Sequence, residues 1–467
     1  MTWEPVIGCE IHVHLKTQTK MFCRCATGFG APENSSTCPV CLAHPGVLPV
    51  PNERAIEWTI KLGLALGCDI APRAVFHRKN YFYPDNPKGY QISQYDEPLC
   101  MSGSFLLPGV GGDTEIGIVR AHLEEDAAKN VHMGGGEGRI HGADRTLVDF
   151  NRAGMPLVEI VTQPHLRSSE QTKRFLQLLR QTVRELGISD AEMQEGSMRF
   201  DVNVSVRPEG SDELRTRTEL KNINSFNFAA QGIEREIQRQ IAIYEGGGEV
   251  VQETLHFVPG QEHAAPLRSK EEAQDYRYLP EPDLVPIEPP AEMVEQARAE
   301  LGELPSARIR RLETELDFGL AEGLVTSGRD GLYERTPGDR RAVANVVMNE
   351  LAAAGLDPTE VNGEELGKLV EARDRIPREA FMKALGASGD GDFKAEDYLG
   401  EAVIADESEL DPVIERILAA NDENVAAYRA GKQGLLGFFV GQVMKETGGK
   451  ADPKVVNTRL RELLDRS

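Results

Sequence analysis

What most constrains this chain is a change of period at a proline-rich stretch, Pro280-Glu281-Pro282 to Pro289-Pro290. Before it, segment after segment alternates polar and apolar residues, the mark of strands with one covered face. After it the sequence turns to Ala, Leu, Glu and Arg at helical spacing, near 293–301, 305–317, 340–354, 363–373 and 378–386. A last helical unit starts near 405, with the apolar run Leu435-Leu436-Gly437-Phe438-Phe439-Val440 and a final helix opening at Asp452-Pro453. The pattern predicts an α+β domain over 1–292, an all-helical domain over 293–404 and a small helical tail over 405–467. That fits the length of 467 residues, enough for about two to four domains. One helix is plain in the first part. Ser168 with Gln171 resembles a capping box, Phe175, Leu176, Leu179, Val183 and Leu186 recur on one face, and Gly187 marks the stop. Gly109–Gly112 and Gly134–Gly138 read as loop insertions.

Two strand segments carry chemistry on one face. In Arg199-Phe200-Asp201-Val202-Asn203-Val204-Ser205-Val206-Arg207, alternation separates Phe200, Val202, Val204 and Val206 from Arg199, Asp201, Asn203, Ser205 and Arg207. A second strand follows, on which Arg215, Arg217, Glu219 and Lys221 share a face, and the two are placed to pair antiparallel. In Cys9-Glu10-Ile11-His12-Val13-His14-Leu15, Glu10, His12 and His14 point one way and the apolar residues the other. Either these are solvated sheet faces, or acids and imidazoles converge on a cation. The run Arg120-Ala121-His122-Leu123-Glu124-Glu125-Asp126 favours the second reading, because three consecutive acids repel one another unless solvated or bound to a cation.

The chain holds no GxxxxGK[ST] loop and no GxGxxG after a strand. ATP, if bound, must be held without those devices, by carboxylate-bound Mg²⁺ with Lys and Arg on the phosphates. The loop from His77 to Tyr95 mixes Arg78, Lys79 and Lys88 with Tyr81, Tyr83, Tyr90 and Tyr95, which suits stacking on bases and pairing with phosphates. Cys23-x-Cys25 and Cys38-x-x-Cys41 form two close pairs with the spacing of a closed, structural Zn²⁺ site; the alternative is a set of reduced thiols. Cys9, Cys68 and Cys100 have no such neighbours, and a disulfide framework is not expected.

No apolar run approaches the roughly 20 residues of a membrane span. The start, Met1-Thr2-Trp3-Glu4-Pro5, has no signal-peptide pattern, so a cytoplasmic protein is expected, with neither membrane nor DNA among its partners. The net charge of -23 means that any RNA contact is local. The best patch is 432–467, where Lys445, Lys450 and Lys454 are candidates for RNA contact.

At this point the residues resemble the B subunits of the aspartyl/glutamyl-tRNA amidotransferases. The match runs in order through Glu10-Ile11-His12-Val13, Lys20-Met21-Phe22-Cys23, Cys38-Pro39-Val40-Cys41, Arg78-Lys79-Asn80-Tyr81-Phe82-Tyr83-Pro84-Asp85 and His122-Leu123-Glu124-Glu125-Asp126. It continues through Asn151-Arg152-Ala153-Gly154, Glu195-Gly196-Ser197, the 199–207 strand, Glu219-Leu220-Lys221-Asn222-Ile223-Asn224, Ser269-Lys270-Glu271-Glu272 with Asp275-Tyr276-Arg277-Tyr278, and Gly441-Gln442-Val443-Met444-Lys445 with Gly449-Lys450. The resemblance implies a cradle-like antiparallel-sheet catalytic domain related to glutamine synthetase, a helical domain and a tail like the YqeY family. It implies ATP-dependent phosphorylation of the side-chain carboxylate on misacylated Glu-tRNA or Asp-tRNA, followed by amidation. Ammonia would come from a glutaminase (amidase) partner, the A subunit, with a small C subunit completing a heterotrimer. By the same resemblance Glu10, His12, Glu124, Glu125, Asp201 and Glu219 hold Mg²⁺, with Glu10, His12, Glu125, Asp201 and Lys221 catalytic. Lys79, Lys88, Arg199, Ser205 and Arg207 are the candidates for phosphate, nucleotide or acceptor-end contact. A free-standing ammonia ligase and a non-catalytic zinc-containing RNA scaffold are the competing readings.

Overall fold

The computed structural model describes residues 2–28, 30–134, 142–223, 225–256, 265–269, 276–399, 406–448 and 450–465. Gly135–Gly138, Asn224, the 270–275 part of the tyrosine-rich match and Gly449 lie outside them. The chain divides into two compact units, Met1–Arg308 and Ile309–Ser467. Among the described residues no helix is long and apolar enough to cross a membrane.

The first unit is α+β. Its strands are β1 (Trp3–His14), β2 (Asp69–Ile70), β3 (Phe76–Asn80), β4 (Tyr90–Gln94), β5 (Cys100–Leu107), β6 (Thr114–Glu125), β7 (Lys129–Met133), β8 (Arg145–Asp149) and β9 (Pro156–Thr162). They continue with β10 (Met198–Pro208), β11 (Thr218–Ile223), β12 (Glu253–His256), β13 (Ala265–Ser269) and β14 (Leu279–Pro280). Nine of them form one sheet in the order β13-β12-β11-β10-β1-β9-β6-β5-β2. Every neighbouring pair in it is antiparallel except β11–β12. β14-β3-β4 and β7-β8 form two small separate sheets.

The alternation seen in the sequence decides which side chains are covered. Phe200, Val202, Val204 and Val206 of β10, and Cys9, Ile11 and Val13 of β1, are buried. Helices α1 (Glu53–Ala65), α2 (Ser169–Glu185) and α3 (Phe226–Glu245) supply much of the cover. Phe200 stacks on Phe226 at 6.1 Å, and Phe105 meets Phe175 of α2 edge-on at 5.6 Å. The start of α2 follows the expected cap, with Gln171 N–H donating to Ser168 Oγ at 3.0 Å. The return bond reaches one residue further back than in a standard box: Gln171 Oε1 accepts from Arg167 N–H at 2.7 Å. Gly187, at φ +71°, ends the helix in the left-handed region. α1 and α3 were not apparent from the sequence.

Close packing between α1 and β5 depends on glycine. A Cβ on Gly103 would lie 2.6 Å from the Leu66 carbonyl oxygen, a backbone atom with little freedom to move. Gly103→Ala is therefore expected to lower stability by about 1–3 kcal/mol in urea unfolding. An unchanged midpoint would show that the helix can retreat at no cost.

The second unit is helical among the described residues. Of the expected helices, Ala291–Ala299 falls in the first unit, Pro305–Leu312 spans the division, and Gly363–Ala372 and Arg378–Ala387 fall in the second. The 340–354 segment is one helical run, Arg340–Ala353, with a π-helical stretch at Val346–Glu350. Phe318–Thr326 and Asp330–Arg335 are helices not apparent from the sequence. The C-terminal helices, Glu407–Ala419, Asp422–Arg429, Leu436–Glu446 and Pro453–Asp465, enclose their own core around Leu410, Ile414, Phe439, Val443, Val456 and Leu460. Pro453 opens the last helix, with Asp452 Oδ1 accepting the Lys454 N–H at 2.7 Å.

Candidate active site

The site is a property of register. β11, β10, β1, β9 and β6 are neighbours in the large sheet. Glu10 stands opposite Asp201, and His12 is flanked by Arg199 on one side and Glu159 on the other. Glu159 in turn stands opposite His122. Directly opposed residues of an antiparallel pair point to the same side. The face turned away from Phe200 and Val202 therefore collects charges from five strands.

Its centre is His12, Glu124 and Glu159, whose ligand atoms all lie within 4.8 Å of one another. His12 Nε2 is 3.7 Å from Glu124 Oε1 and 3.8 Å from Glu159 Oε2. His122 Nε2 lies 3.4 Å from Glu159 Oε2. Towards β11, Lys221 Nζ donates to Asp201 Oδ2 at 2.5 Å and sits 3.2 Å from Glu219 Oε1. Asn203 Nδ2 donates to Glu10 Oε1 at 3.2 Å. At the other edge Asp126, only 6% exposed, accepts from Arg199 through both oxygens at 3.0 and 3.1 Å and makes a 2.7 Å hydrogen bond with His14 Nε2.

Burial and crowding set the protonation states. Burial, and then the Glu159 carboxylate, push Glu124 up to about 8. Burial raises Glu10, with the charges of Glu159, Glu219 and Asp201 adding to the effect. Burial also raises Asp201, against the pull of Lys221. His12 and His122 are pushed down to about 4 by burial, so both are neutral imidazoles at neutral pH. Asp126 is the exception: burial would raise it, but Arg199 and His14 hold it well below the usual carboxylate range. Lys79, which burial would discharge, is held charged by Glu124 and lies 4.8 Å over the Tyr276 ring.

Neutral imidazole beside two carboxylates is a donor set for a divalent cation, and such an ion would offset the burial and the Glu159 repulsion that together keep a proton on Glu124. The residues therefore fit a metal at His12, Glu124 and Glu159.

The structure brings Glu10, His12, Glu124, Asp201, Glu219, Lys221, Lys79 and Arg199 onto or over this face. It does not bring Glu125 there. Adjacent strand residues point to opposite sides, and Glu125 turns away from Glu124 to accept from the Ile92 N–H at 3.0 Å and from Lys88 Nζ. Glu125 and Lys88 instead line a cavity of about 240 Å³ together with Lys20 and Cys41. Arg207 is engaged at the far end of β10 by Glu4, at 2.7 Å. Ser205 is buried, its hydroxyl 3.4 Å from the Val6 carbonyl. Lys445, Lys450 and Lys454 are exposed on the C-terminal helices and the turn between them. Sequence reasoning missed Glu159. It is the one charge in Pro156-Leu157-Val158-Glu159-Ile160-Val161-Thr162, and a lone acid in an otherwise apolar strand is the signal that could have found it.

The four cysteines converge as their spacing suggested. Their sulfurs lie within 4.8 Å of one another, and Cys38 Sγ and Cys41 Sγ are 3.9 Å apart. A tetrahedron with Zn–S bonds of about 2.3 Å has edges of about 3.8 Å, so the donor set fits Zn²⁺. Hydrogen bonding from Cys23 pushes the Cys41 thiol down to about 4, and Lys20 Nζ donates to its sulfur at 3.7 Å.

Asp126 is the anchor most open to a stability test. Asp126→Asn leaves Arg199 without its bidentate partner. It is expected to cost about 2–3 kcal/mol in urea unfolding, at the low end for a buried pair because Arg199 is 39% exposed. A change below about 0.5 kcal/mol would show that the pair carries no net stability.

A sheet that gathers buried and half-buried carboxylates, neutral imidazoles and a lysine from five strands has the equipment of an enzyme rather than a scaffold. Residues 5–295 match the GatB/GatE catalytic domain, and residues 336–464 match the GatB domain. The aspartyl/glutamyl-tRNA(Asn/Gln) amidotransferase B subunit of Moorella thermoacetica is 46% identical, over 99% of this chain and all of its own length. The B subunits of the same name from Prosthecochloris aestuarii and Carboxydothermus hydrogenoformans are 43% and 44% identical, over 98% and 99% of their lengths and 100% and 99% of this chain. The chain belongs to this family of B subunits, and with it to the ligases.

Proposed function

We propose that this chain activates the side-chain carboxylate of glutamate or aspartate on misacylated tRNA with ATP, and converts it to the amide with ammonia from a partner glutaminase. Supporting this, the chain is similar over its length to amidotransferase B subunits whose name specifies aspartyl/glutamyl-tRNA(Asn/Gln). The observation that carries it is the His12–Glu124–Glu159 cluster flanked by Lys79 and Lys221. A carboxylate cannot expel oxide, so it must first be given a leaving group. In the first step a side-chain oxygen of the substrate attacks the γ-phosphorus and ADP departs. In the second, ammonia attacks the acyl carbon, a proton passes to a carboxylate of the face, and phosphate leaves.

His12, Glu124 and Glu159 would hold Mg²⁺, which supplies charge for the phosphate oxygens. Lys79, Lys221 and Arg199 present fixed positive charge to the transferring group. Glu10 and Asp201, raised by burial, are suited to take the proton. Glu219 braces Lys221. The division into a glutamine synthetase-like cradle (1–292), a helical domain (293–404) and a YqeY-like tail (405–467) belongs to the same reading, as do the glutaminase and small partner chains, the Zn²⁺ at the four cysteines, and tRNA contact through Lys445, Lys450 and Lys454.

The test is an amidation assay of the reconstituted complex with Glu-tRNA and Asp-tRNA. ATP cleavage is expected to require the charged tRNA. Stimulation by free glutamate, with no response to charged tRNA, would favour a free-standing ligase and overturn the reading.

A further inference from the structure

Beside the charged face lies a second cavity, of about 530 Å³, lined among others by His14, Lys16, Lys129, Arg152, Asp190 and Glu195. It adjoins the site along β1. His14 lines the cavity and His12 belongs to the cluster, two residues apart on one face, or about 7 Å along the strand. The backbone fixes the Glu195 segment to this point, with the His14 N–H donating to the Ser197 carbonyl at 2.9 Å.

The charges of the lining are unequally matched. Lys16 pairs with Asp190 at 3.3 Å, and Arg152 is taken up by Asp126 and by the Ala127 and Ala128 carbonyls. Among the described residues Lys129 is the one lysine or arginine of the lining without an ion-pair partner. Of the carboxylates Glu33, Asp149 and Glu195 have none; Asp149 accepts the Asn34 and Asn151 N–H groups, and the Glu195 segment is the one tied to His14. Carboxylates outnumber lysines and arginines in the lining, so the cavity is ill suited to a triphosphate. It suits a ligand with a large neutral body, one cation and one phosphodiester. An aminoacylated terminal nucleoside has that composition: a base and ribose, a free α-ammonium on the ester, and a single 5′-phosphate.

We propose that this cavity receives the aminoacylated end of the tRNA, with Glu195 reading the free α-ammonium and Lys129 meeting the terminal phosphodiester. The inference rests on the reading of a tRNA-borne carboxylate given above, and adds how that carboxylate is presented. With the ammonium held near His14, the glutamyl side chain is directed along β1 towards His12 and Glu124. The cavity then selects an amino acid that is esterified and unblocked at nitrogen.

The experiment compares Glu-tRNA with N-acetyl-Glu-tRNA in the reconstituted complex, using the parent protein and Glu195→Gln. For the parent, acetylation is expected to raise KM about tenfold, the scale of one charged hydrogen bond. Glu195→Gln should raise KM for Glu-tRNA by a similar factor, leave KM for ATP unchanged, and respond to acetylation less than about twofold. Lys129→Ala should raise KM for both substrates equally. Equal use of the two substrates by the parent, or full discrimination retained by Glu195→Gln, would overturn the assignment. Failure of the parent to amidate Glu-tRNA at all would instead sink the reading on which it rests.

Discussion

Glu124→Gln is expected to abolish amide formation by the assembled complex, lowering kcat/KM by about a thousandfold or more, while the partner's glutamine hydrolysis continues. Glutamine keeps the shape of the side chain and the hydrogen bond from Ser93 Oγ, now 3.1 Å from Glu124 Oε2, but removes the charge. The same variant should fold at least as well as the parent. Glu124 is buried against Glu159, and its folded pKa, about 8, lies above the unfolded value near 4.3. The sign follows from linkage: the favourable protonated state is fully present below the unfolded value and is lost as pH rises through about 8. Parent stability should therefore decline between pH 5 and 9, and the variant, unable to ionise at this position, should decline less. Thermal unfolding in the absence of divalent metal reads this directly. A variant that is both inactive and less stable at pH 9 would mean that its inactivity reports misfolding. Normal amidation by a well-folded variant would remove Glu124 from the site.

The charged face could be read from the sequence wherever alternation was strict. β1 and β10 carry period-two runs, so Glu10 with His12, and Asp201 with Arg199, each fall on one face of their own strand, and the pairing of β1 with β10 brings the two faces together. The same rule, applied to Glu124-Glu125-Asp126, would have sent Glu125 to the opposite side; grouping the three acids by proximity in sequence overrode the pleat. Glu159 escaped because β9 is apolar on both sides of the pleat, the pattern of a strand deep within a sheet, which periodicity does not resolve. α3 escaped for a different reason. Its buried face is Ala229, Gly232, Ile233, Glu236, Ile237 and Gln240, so the polar Glu236 and Gln240 interrupt the apolar period, and tertiary packing on β10 and β11 supplies what the pattern lacks. Phe318–Thr326 in the second unit escaped through the low helix propensity of Gly319 and Gly323. The cavity beside His14 was not legible at all, since its walls come from segments as distant as Thr17 and Ser197.

Cys41→Ser is expected to remove bound zinc and lower the unfolding temperature by about 10 °C or more, the effect of losing several kcal/mol from a unit of this size. The reason lies in the loop. Among the described residues, the chain from Thr27 to Asn52 contains neither helix nor strand. So long a stretch needs a staple to remain ordered against a compact domain. Asn34 supplies part of one, bonding Val148 and Phe150 through its side chain at 3.2 and 2.7 Å, and Asn151 adds a bond to the Pro32 carbonyl at 2.7 Å. These are individually worth about 1 kcal/mol, too little to order the loop unaided. Zn²⁺ held by four sulfurs that lie within 4.8 Å of one another would supply the rest. A zinc held by all four sulfurs would have no open coordination position and so do no chemistry; turnover per folded molecule, measured well below the lowered transition, should remain within about threefold of the parent. Metal content by mass spectrometry, calorimetric unfolding and the amidation rate together decide the matter. Lost turnover with an unchanged transition would give the cysteines a chemical role, and zinc retained by the serine variant would show that Cys41, and with it the sulfur that Lys20 contacts, is not a ligand.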